Sequence, residues 1–227
     1  MNPIKHLPNT LTLGNLLCGC AGIVCAFTRP ELPLAWFVWA ACLFDFLDGF
    51  SARLLNVSSA IGKELDSLAD VVSFGVLPSV QMFQMMGGTT GGPIAWTSFA
   101  LAAFAALRLA RFNVDDRQSE SFIGLPTPAM ALFITGLPFA LALISPDEIP
   151  VHLPLLATLL MALAMVSPLP MAALKFKSLT WKGNQLIFLL LAAAVVLIGL
   201  TGAAGISFSI LFYLLLSLLT RFSPKTS

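Results

Sequence analysis

Eight long apolar runs dominate the chain, at about residues 11–27, 34–55, 69–86, 94–112, 127–144, 151–166, 185–200 and 206–219. A helix needs about 20 mostly apolar residues to cross a hydrocarbon core about 30 Å thick. Inside lipid every backbone N–H and C=O must find its partner within the protein, so only helices and closed barrels can cross. Barrel strands alternate apolar and polar positions over about ten residues, whereas these runs are continuous. The fold class is therefore an all-α integral membrane protein. The shorter runs are at the limit of a spanning length and suit tilted or kinked helices. Composition points the same way: 58% of residues are apolar and 10% are charged, where soluble domains carry about 25%. So few charges cannot clothe a soluble globule, and so much apolar surface excludes disorder. A formal net charge of +1 offers no basic face to a phosphate backbone, which excludes nucleic acid as a partner.

Charge placement sets a topology. With a cytoplasmic N-terminus, Lys5, Arg53, Lys63, Arg108, Arg111, Arg117, Lys175, Lys177, Lys182, Arg221 and Lys225 all fall on the cytoplasmic side. Arg29, beside Glu31, falls on the other side, where Asp147 and Glu148 occupy a later loop. Eleven of twelve basic residues on one face is the asymmetry that orients membrane helices. Dropping one span scrambles the sorting, so the sequence predicts eight spans with both termini cytoplasmic. Lys5 ahead of run 11–27, with Leu17-Cys18-Gly19-Cys20 inside it, has something of a cleavable leader. Cys18 is poorly suited to its place in that pattern, and the run reads as the first span.

Cys18, Cys20, Cys25 and Cys42 lie within spans and lack CxxC pairing, so they read as small packing residues. Gly14, Cys18, Gly22 and Ala26 recur every four residues, a stripe fit for close helix contact. No linker, soluble insert or internal repeat interrupts the chain. One membrane-embedded domain over residues 1–227 is expected, and not a transporter built from repeated halves.

The chemistry is concentrated between residues 45 and 70. Asp45 and Asp48 lie in the cytoplasmic half of the second run, where an Asp costs about 2.5–3.5 kcal/mol at the helix centre. Three residues apart, they share a helix face with a rise of about 4.5 Å. Asp66 and Asp70, four apart, share a face on the next helix, and a short turn between the two helices lets all four carboxylates converge. Oxygen-only ligands clustered this way suit hard divalent cations such as Mg²⁺ or Mn²⁺. Gly49 and Ala52 leave space against the backbone for a bulky ligand, and Arg53, one turn on, can clamp a phosphate. Carboxylates for metal, room for a nucleotide and an arginine for phosphate together suggest metal-assisted phosphoryl transfer. Two other readings stand beside it: structural Asp–Arg pairing, and a cation path lined by the aspartates.

Asp45, Asp48, Gly49, Ala52, Arg53, Gly62, Asp66 and Asp70 fill the pattern Asp-x2-Asp-Gly-x2-Ala-Arg-x8-Gly-x3-Asp-x3-Asp. This resembles the signature of the CDP-alcohol phosphotransferases at every fixed position. Further segments resemble the bacterial members that use L-serine as acceptor: Leu7-Pro8-Asn9-Thr10-Leu11-Thr12, the stretch from Leu65 to Gly75, Arg108-Leu-Ala-Arg111-Phe-Asn113, and Gly124-Leu-Pro126-Thr127-Pro128. The resemblance covers about residues 7–170, and the last two runs match only in general character.

The resemblance implies a single displacement on CDP-diacylglycerol, releasing CMP and joining the phosphatidyl group to the hydroxyl of L-serine. It implies a homodimer among the lipids of a bacterial inner membrane, working at the cytoplasmic side. It implies two divalent ions, Mg²⁺ or Mn²⁺, held by Asp45, Asp48 and Asp66 with Asp70 shared, and Asp70 as the general base. Asn9, Thr12, Gly49, Ala52, Arg53, Ser59 and Gly62 would bind CDP-diacylglycerol. Arg108, Arg111 and Asn113 would bind serine, the two arginines sharing one helix face toward its carboxylate.

Blander readings remain for several of these residues. Asn9 could cap the first helix, Ser59 could be an ordinary loop residue, and Thr127 before Pro128 reads as a helix start. Arg108 and Arg111 could be snorkelling anchors. Sister enzymes taking glycerol 3-phosphate or inositol phosphate would want a denser basic pocket than this chain offers.

Overall fold

The structure, a computed structural model, describes residues 6–57, 59–114, 123–144, 149–169, 171, 181 and 184–222. Among these residues the secondary structure is helical, and no strand is present. Helices α1 (Leu7–Thr28) and α2 (Ala35–Leu54) form an antiparallel pair, followed by α3 (Ala60–Asp70). A π turn (Val71–Val76) carries α3 without a break into α4 (Leu77–Met85). Short 3₁₀ turns and α5 (Pro93–Trp96) lead into α6 (Ala100–Val114). Then come α7 (Thr127–Ile144), α8 (His152–Val166), α9 (Gln185–Thr201) and α10 (Ala204–Phe222).

Four segments are long and apolar enough to cross a membrane: Leu7–Thr28, Ala35–Leu54, Gly88–Val114 and Thr127–Ile144. His152–Val166, Gln185–Thr201 and Ala204–Leu219 are shorter apolar helices. Leu17, Leu54, Val195 and Leu200 are among many large apolar side chains that point outward, as lipid-facing surfaces require. The chain is a membrane protein. The third helix departs from expectation, because it starts at Ala60 and not near residue 69. Hydropathy registers only the apolar stretch, whereas α3 is amphipathic and begins where Ser59 caps it, accepting from Gly62 N at 2.9 Å.

Close contact at α1 follows the small-residue stripe. A Cβ on Gly14 would lie 2.8 Å from the Phe44 ring, and one on Gly22 would lie 2.6 Å from Leu77. Gly19, off the stripe, comes nearest of all: its Cβ would lie 2.5 Å from Ser73 Oγ and 2.8 Å from Ser73 Cα. All four cysteines are free thiols. At the other end of the core, Gly124 adopts φ +76° directly beneath the Met165 carbonyl, a conformation that suits glycine. Its N–H donates to Leu169 O at 2.8 Å and Leu125 N–H donates to Ala164 O at 2.9 Å, which pins the start of α7.

The described basic residues segregate by end. Arg53, Lys63, Arg108 and Arg111 lie toward the end where α2 meets α3 and α6 terminates. Arg29 lies at the opposite end, its Nε 2.7 Å from Glu31 Oε1. Lys5, Arg117, Lys175, Lys177, Lys182, Lys225, Asp147 and Glu148, which also entered the topology argument, lie outside the described residues, as does the side chain of Arg221.

Candidate active site

The turn between α2 and α3 brings the acidic residues together as their spacing requires. One carboxylate oxygen from each of Asp45, Asp48 and Asp66 lies within 4.8 Å of the others. Asp48 and Asp70 are buried, and Asp45 and Asp66 are half-buried. Helix α1 holds the cluster from the side. Thr12 Oγ1 donates to Asp48 Oδ2 at 2.6 Å, and Asn15 Nδ2 donates to Asp70 Oδ1 at 3.0 Å. Asn15 is itself held by Ser73 on the π turn, whose Oγ donates to Asn15 O at 2.8 Å.

The donor set fits a hard cation. Among the described residues, oxygens alone converge here, and Asp66 Oδ1 is buried with no hydrogen-bond partner, a polar atom whose desolvation they leave without an offset. Clustered carboxylates among apolar helices repel one another and need positive charge between them. Asp45, Asp48 and Asp66 are placed to hold it.

Two cavities meet at this cluster. The smaller, of 230 Å³, is lined by Pro8, Asn9, Thr12, Asp48, Gly49, Ala52, Val57, Ser59, Gly62, Lys63 and Asp66. The larger, of 420 Å³, is lined by Lys63, Asp66, Ser67, Asp70, Arg108, Leu109, Phe112, Asn113, Pro126, Pro128 and Tyr213. Lys63 and Asp66 belong to both and form the boundary between them. Asp48 faces the first cavity and Asp70 the second.

The structure places most of the residues named from sequence around these two cavities. Asn9, Thr12, Gly49, Ala52, Ser59 and Gly62 line the smaller cavity. Asn9 lies inside α1, whose N-cap is His6, so the capping alternative for Asn9 is corrected. Arg53 lines a neighbouring open hollow with Ala52, Asn56 and Val57, its Nη1 4.0 Å from the position of a Gly49 Cβ. Arg108 and Arg111 do not act as a pair. Arg108 is 8% exposed and lines the larger cavity, donating through Nη1 to Thr127 Oγ1 at 3.0 Å. Arg111 is exposed and absent from that lining, because three residues leave a 60° offset on a 3.6-residue helix. Asn113 lines the larger cavity and bonds to α3, its Nδ2 donating to Ser67 Oγ at 2.9 Å.

The sequence model of the CDP-alcohol phosphatidyltransferase family matches residues 5–170. The chain belongs to that family. It is similar to proteins named CDP-diacylglycerol–serine O-phosphatidyltransferase from several organisms. The Helicobacter pylori (strain J99) protein is 40% identical over 136 residues, covering 59% of this chain and 57% of that one. The Bacillus subtilis protein is 32% identical over 136 residues, covering 60% and 77%. The Saccharomyces cerevisiae protein is 38% identical over 150 residues, covering 59% and 54%. The match thus spans little more than half of the Helicobacter and yeast relatives. For a CDP-alcohol phosphatidyltransferase, whose family depends on divalent metal, the aspartate cluster is the expected kind of centre.

Several residues at the aspartate cluster and its cavities in this CDP-alcohol phosphatidyltransferase are not among the fixed positions of the signature. Asn15 and Thr12, three apart on α1, are buried polar residues in an apolar span, each bonded to an aspartate of the cluster. Lys63 lies within the signature at an unspecified position, and its Nζ donates to Asn113 O at 2.9 Å. Ser67 and Ser73 stood out only as members of the Leu65–Gly75 stretch, and Tyr213 carried no mark, since only the folded arrangement brings it to the larger cavity.

Proposed function

We propose that this chain transfers the phosphatidyl group from CDP-diacylglycerol to the hydroxyl of L-serine, giving phosphatidylserine and CMP. The observation that carries this reading is the pair of cavities divided by Lys63 and Asp66, with Asp70 and buried Arg108 on one side only. The smaller cavity takes the CDP end of the donor, where Gly49 leaves backbone surface open, Gly62 forms part of the wall and Arg53 stands at the rim for the diphosphate. The larger takes the acceptor. The names of the relatives above support serine as that acceptor.

Each residue then has a task. Asn15 engages Asp70 Oδ1, so Oδ2 is assigned to receive the proton of the serine hydroxyl. A hydroxyl is a weak nucleophile at neutral pH and needs a positioned base. As the serine oxygen bonds to the phosphatidyl phosphorus, the bond from that phosphorus to the CMP oxygen breaks, and CMP leaves with the electron pair. Arg108 meets the serine carboxylate with a charge-assisted bond. Thr12 keeps the Asp48 carboxylate aimed at the cluster. Bound at Asp45, Asp48, Asp66 and Asp70, two Mg²⁺ or Mn²⁺ ions would neutralise charge developing on the diphosphate.

On the same reading the whole chain is one catalytic domain of eight spans with both termini in the cytoplasm of a bacterial cell, working as a homodimer in the inner membrane. Burial of the lipid tails explains why the chemistry stays at a membrane-embedded site. The deciding assay supplies purified protein with CDP-diacylglycerol and either L-serine or glycerol 3-phosphate, and measures CMP. Serine-dependent release is expected. Release with glycerol 3-phosphate alone would make the protein a sister enzyme, and release with neither would return the cluster to a cation path.

A further inference from the structure

One wall of the larger cavity comes from beyond the family match. Tyr213, the chain's one tyrosine, is 5% exposed and reaches the cavity from α10, whereas the match ends at residue 170. Helix α10 is docked closely on α7. Ser207 Oγ donates to Phe133 O at 2.8 Å, and a Cβ on Gly136 would lie 2.5 Å from that same Oγ. From Ser207 to Tyr213 the helix rises about 9 Å. From Phe133 back to Thr127, α7 covers the same distance in the opposite sense. The antiparallel pair therefore brings Tyr213 level with Thr127, the hydroxyl that accepts from Arg108 Nη1 at 3.0 Å. Tyr213 and Arg108 are near enough to interact electrostatically, and the phenol is hydrogen-bonded to Ser217 one turn along.

Arg108 supplies the second half of the argument. Among the described residues its Nε is buried and has no hydrogen-bond partner, so a guanidinium deep in an apolar helix bundle keeps a donor that they do not use. An anionic group arriving in the cavity would satisfy it. The phenol ring, bonded to Ser217, forms part of the wall of the same cavity.

We propose that Tyr213 is an acceptor-specificity residue: its ring closes the cavity around Arg108, admitting a small hydroxy amino acid with a free carboxylate and excluding longer ones. This rests on the larger cavity being the acceptor site. The shared family segment then builds the phosphoryl-transfer centre, and α10 adds the choice of acceptor.

The test uses the full chain in detergent with Mg²⁺ and CDP-diacylglycerol, measuring CMP release with L-serine and with L-homoserine, which is one methylene longer. Tyr213→Leu removes the ring and is expected to raise the KM for serine about tenfold while leaving the KM for CDP-diacylglycerol within about twofold. The preference for serine over homoserine should shrink by about tenfold, the usual scale for a pocket reading one methylene. Tyr213→Phe keeps the ring and should keep the preference. Ser217→Ala, which frees the ring while retaining it, should fall between the two and serves if Tyr213→Leu does not fold. Equal changes in both KM values, or an unchanged serine preference in Tyr213→Leu and Ser217→Ala, would make Tyr213 a packing residue and overturn the proposal. Should the wild-type chain take an acceptor other than serine, the proposed reaction fails on its own. The same KM comparison with that acceptor then decides whether α10 governs the choice.

Discussion

Asp70 and Asp45 belong to one acidic cluster but meet different neighbours. Asp70 is buried, takes a hydrogen bond from Asn15 and opens to the larger cavity, while Asp45 packs with Asp48 and Asp66. Asp70→Asn keeps the shape and one ligand oxygen but removes the proton acceptor. Turnover should fall by about 10²–10⁴ with CDP-diacylglycerol affinity largely kept. Asp45→Asn should weaken affinity and turnover together. If Asp70→Asn loses affinity as badly as Asp45→Asn, or turns over near normally, Asp70 is not the base. Arg108 and Arg111 separate just as cleanly. Arg108→Ala should raise the KM for serine about ten- to a hundredfold, from a lost bond worth about 1.5–3 kcal/mol, whereas Arg111→Ala should leave it nearly unchanged; equal effects of the two would contradict the burial difference. At this scale the four aspartates, Gly49, Ala52 and Arg53 could be singled out by residue type and spacing, whereas Gly62 entered only with the family signature. The split between Arg108 and Arg111 was not legible, because a 60° offset decides burial only once neighbours are packed on either side.

Among the elements, α1 and the π turn meet closely, a Cβ on Gly19 falling 2.8 Å from Ser73 Cα. The π turn directly follows Asp70, and its Ser73 bonds to the backbone of Asn15, which bonds to Asp70. Turns of this kind inside α-helices occur often at functional sites, and this one lets Asp70 and Ser73 address the same residue of α1. Gly19 is what allows the approach. Gly19→Val should force the two backbones apart, lowering stability by about 1–3 kcal/mol from overpacking and turnover more steeply than CDP-diacylglycerol binding. A thermal melt together with the two-substrate assay checks this, and an unperturbed variant would mean that the junction is looser than its geometry. Apolar runs foretold α1, α2, α7 and α8 to within a few residues. They misplaced the start of the third helix because α3 is held by a cap and by one-sided burial, to which a hydropathy window is blind. Nothing in the composition of Val71–Val76 betrays a π turn, which is a product of tertiary fit.

For the whole molecule, the consequence of packing four carboxylates among apolar helices is dependence on cations. Excess EDTA should abolish turnover, and added Mg²⁺ or Mn²⁺ should restore it; full activity in EDTA would remove the metal from the scheme. Class, membrane character and the location of the chemistry could all be read from the chain, because they rest on run length and on the expense of charge in lipid. The larger cavity could not, since its walls come from residues as far apart as Lys63, Arg108, Pro126 and Tyr213. Its geometry also bears on the handedness of the reaction. On the proposed reading, donor and acceptor approach from opposite sides of the boundary at Lys63 and Asp66, which would put the incoming oxygen and the departing CMP on opposite flanks of one phosphorus. A donor made chiral at that phosphorus with sulfur or oxygen isotopes should therefore give product of inverted configuration, and radiolabelled CMP should not exchange into CDP-diacylglycerol until phosphatidylserine is added.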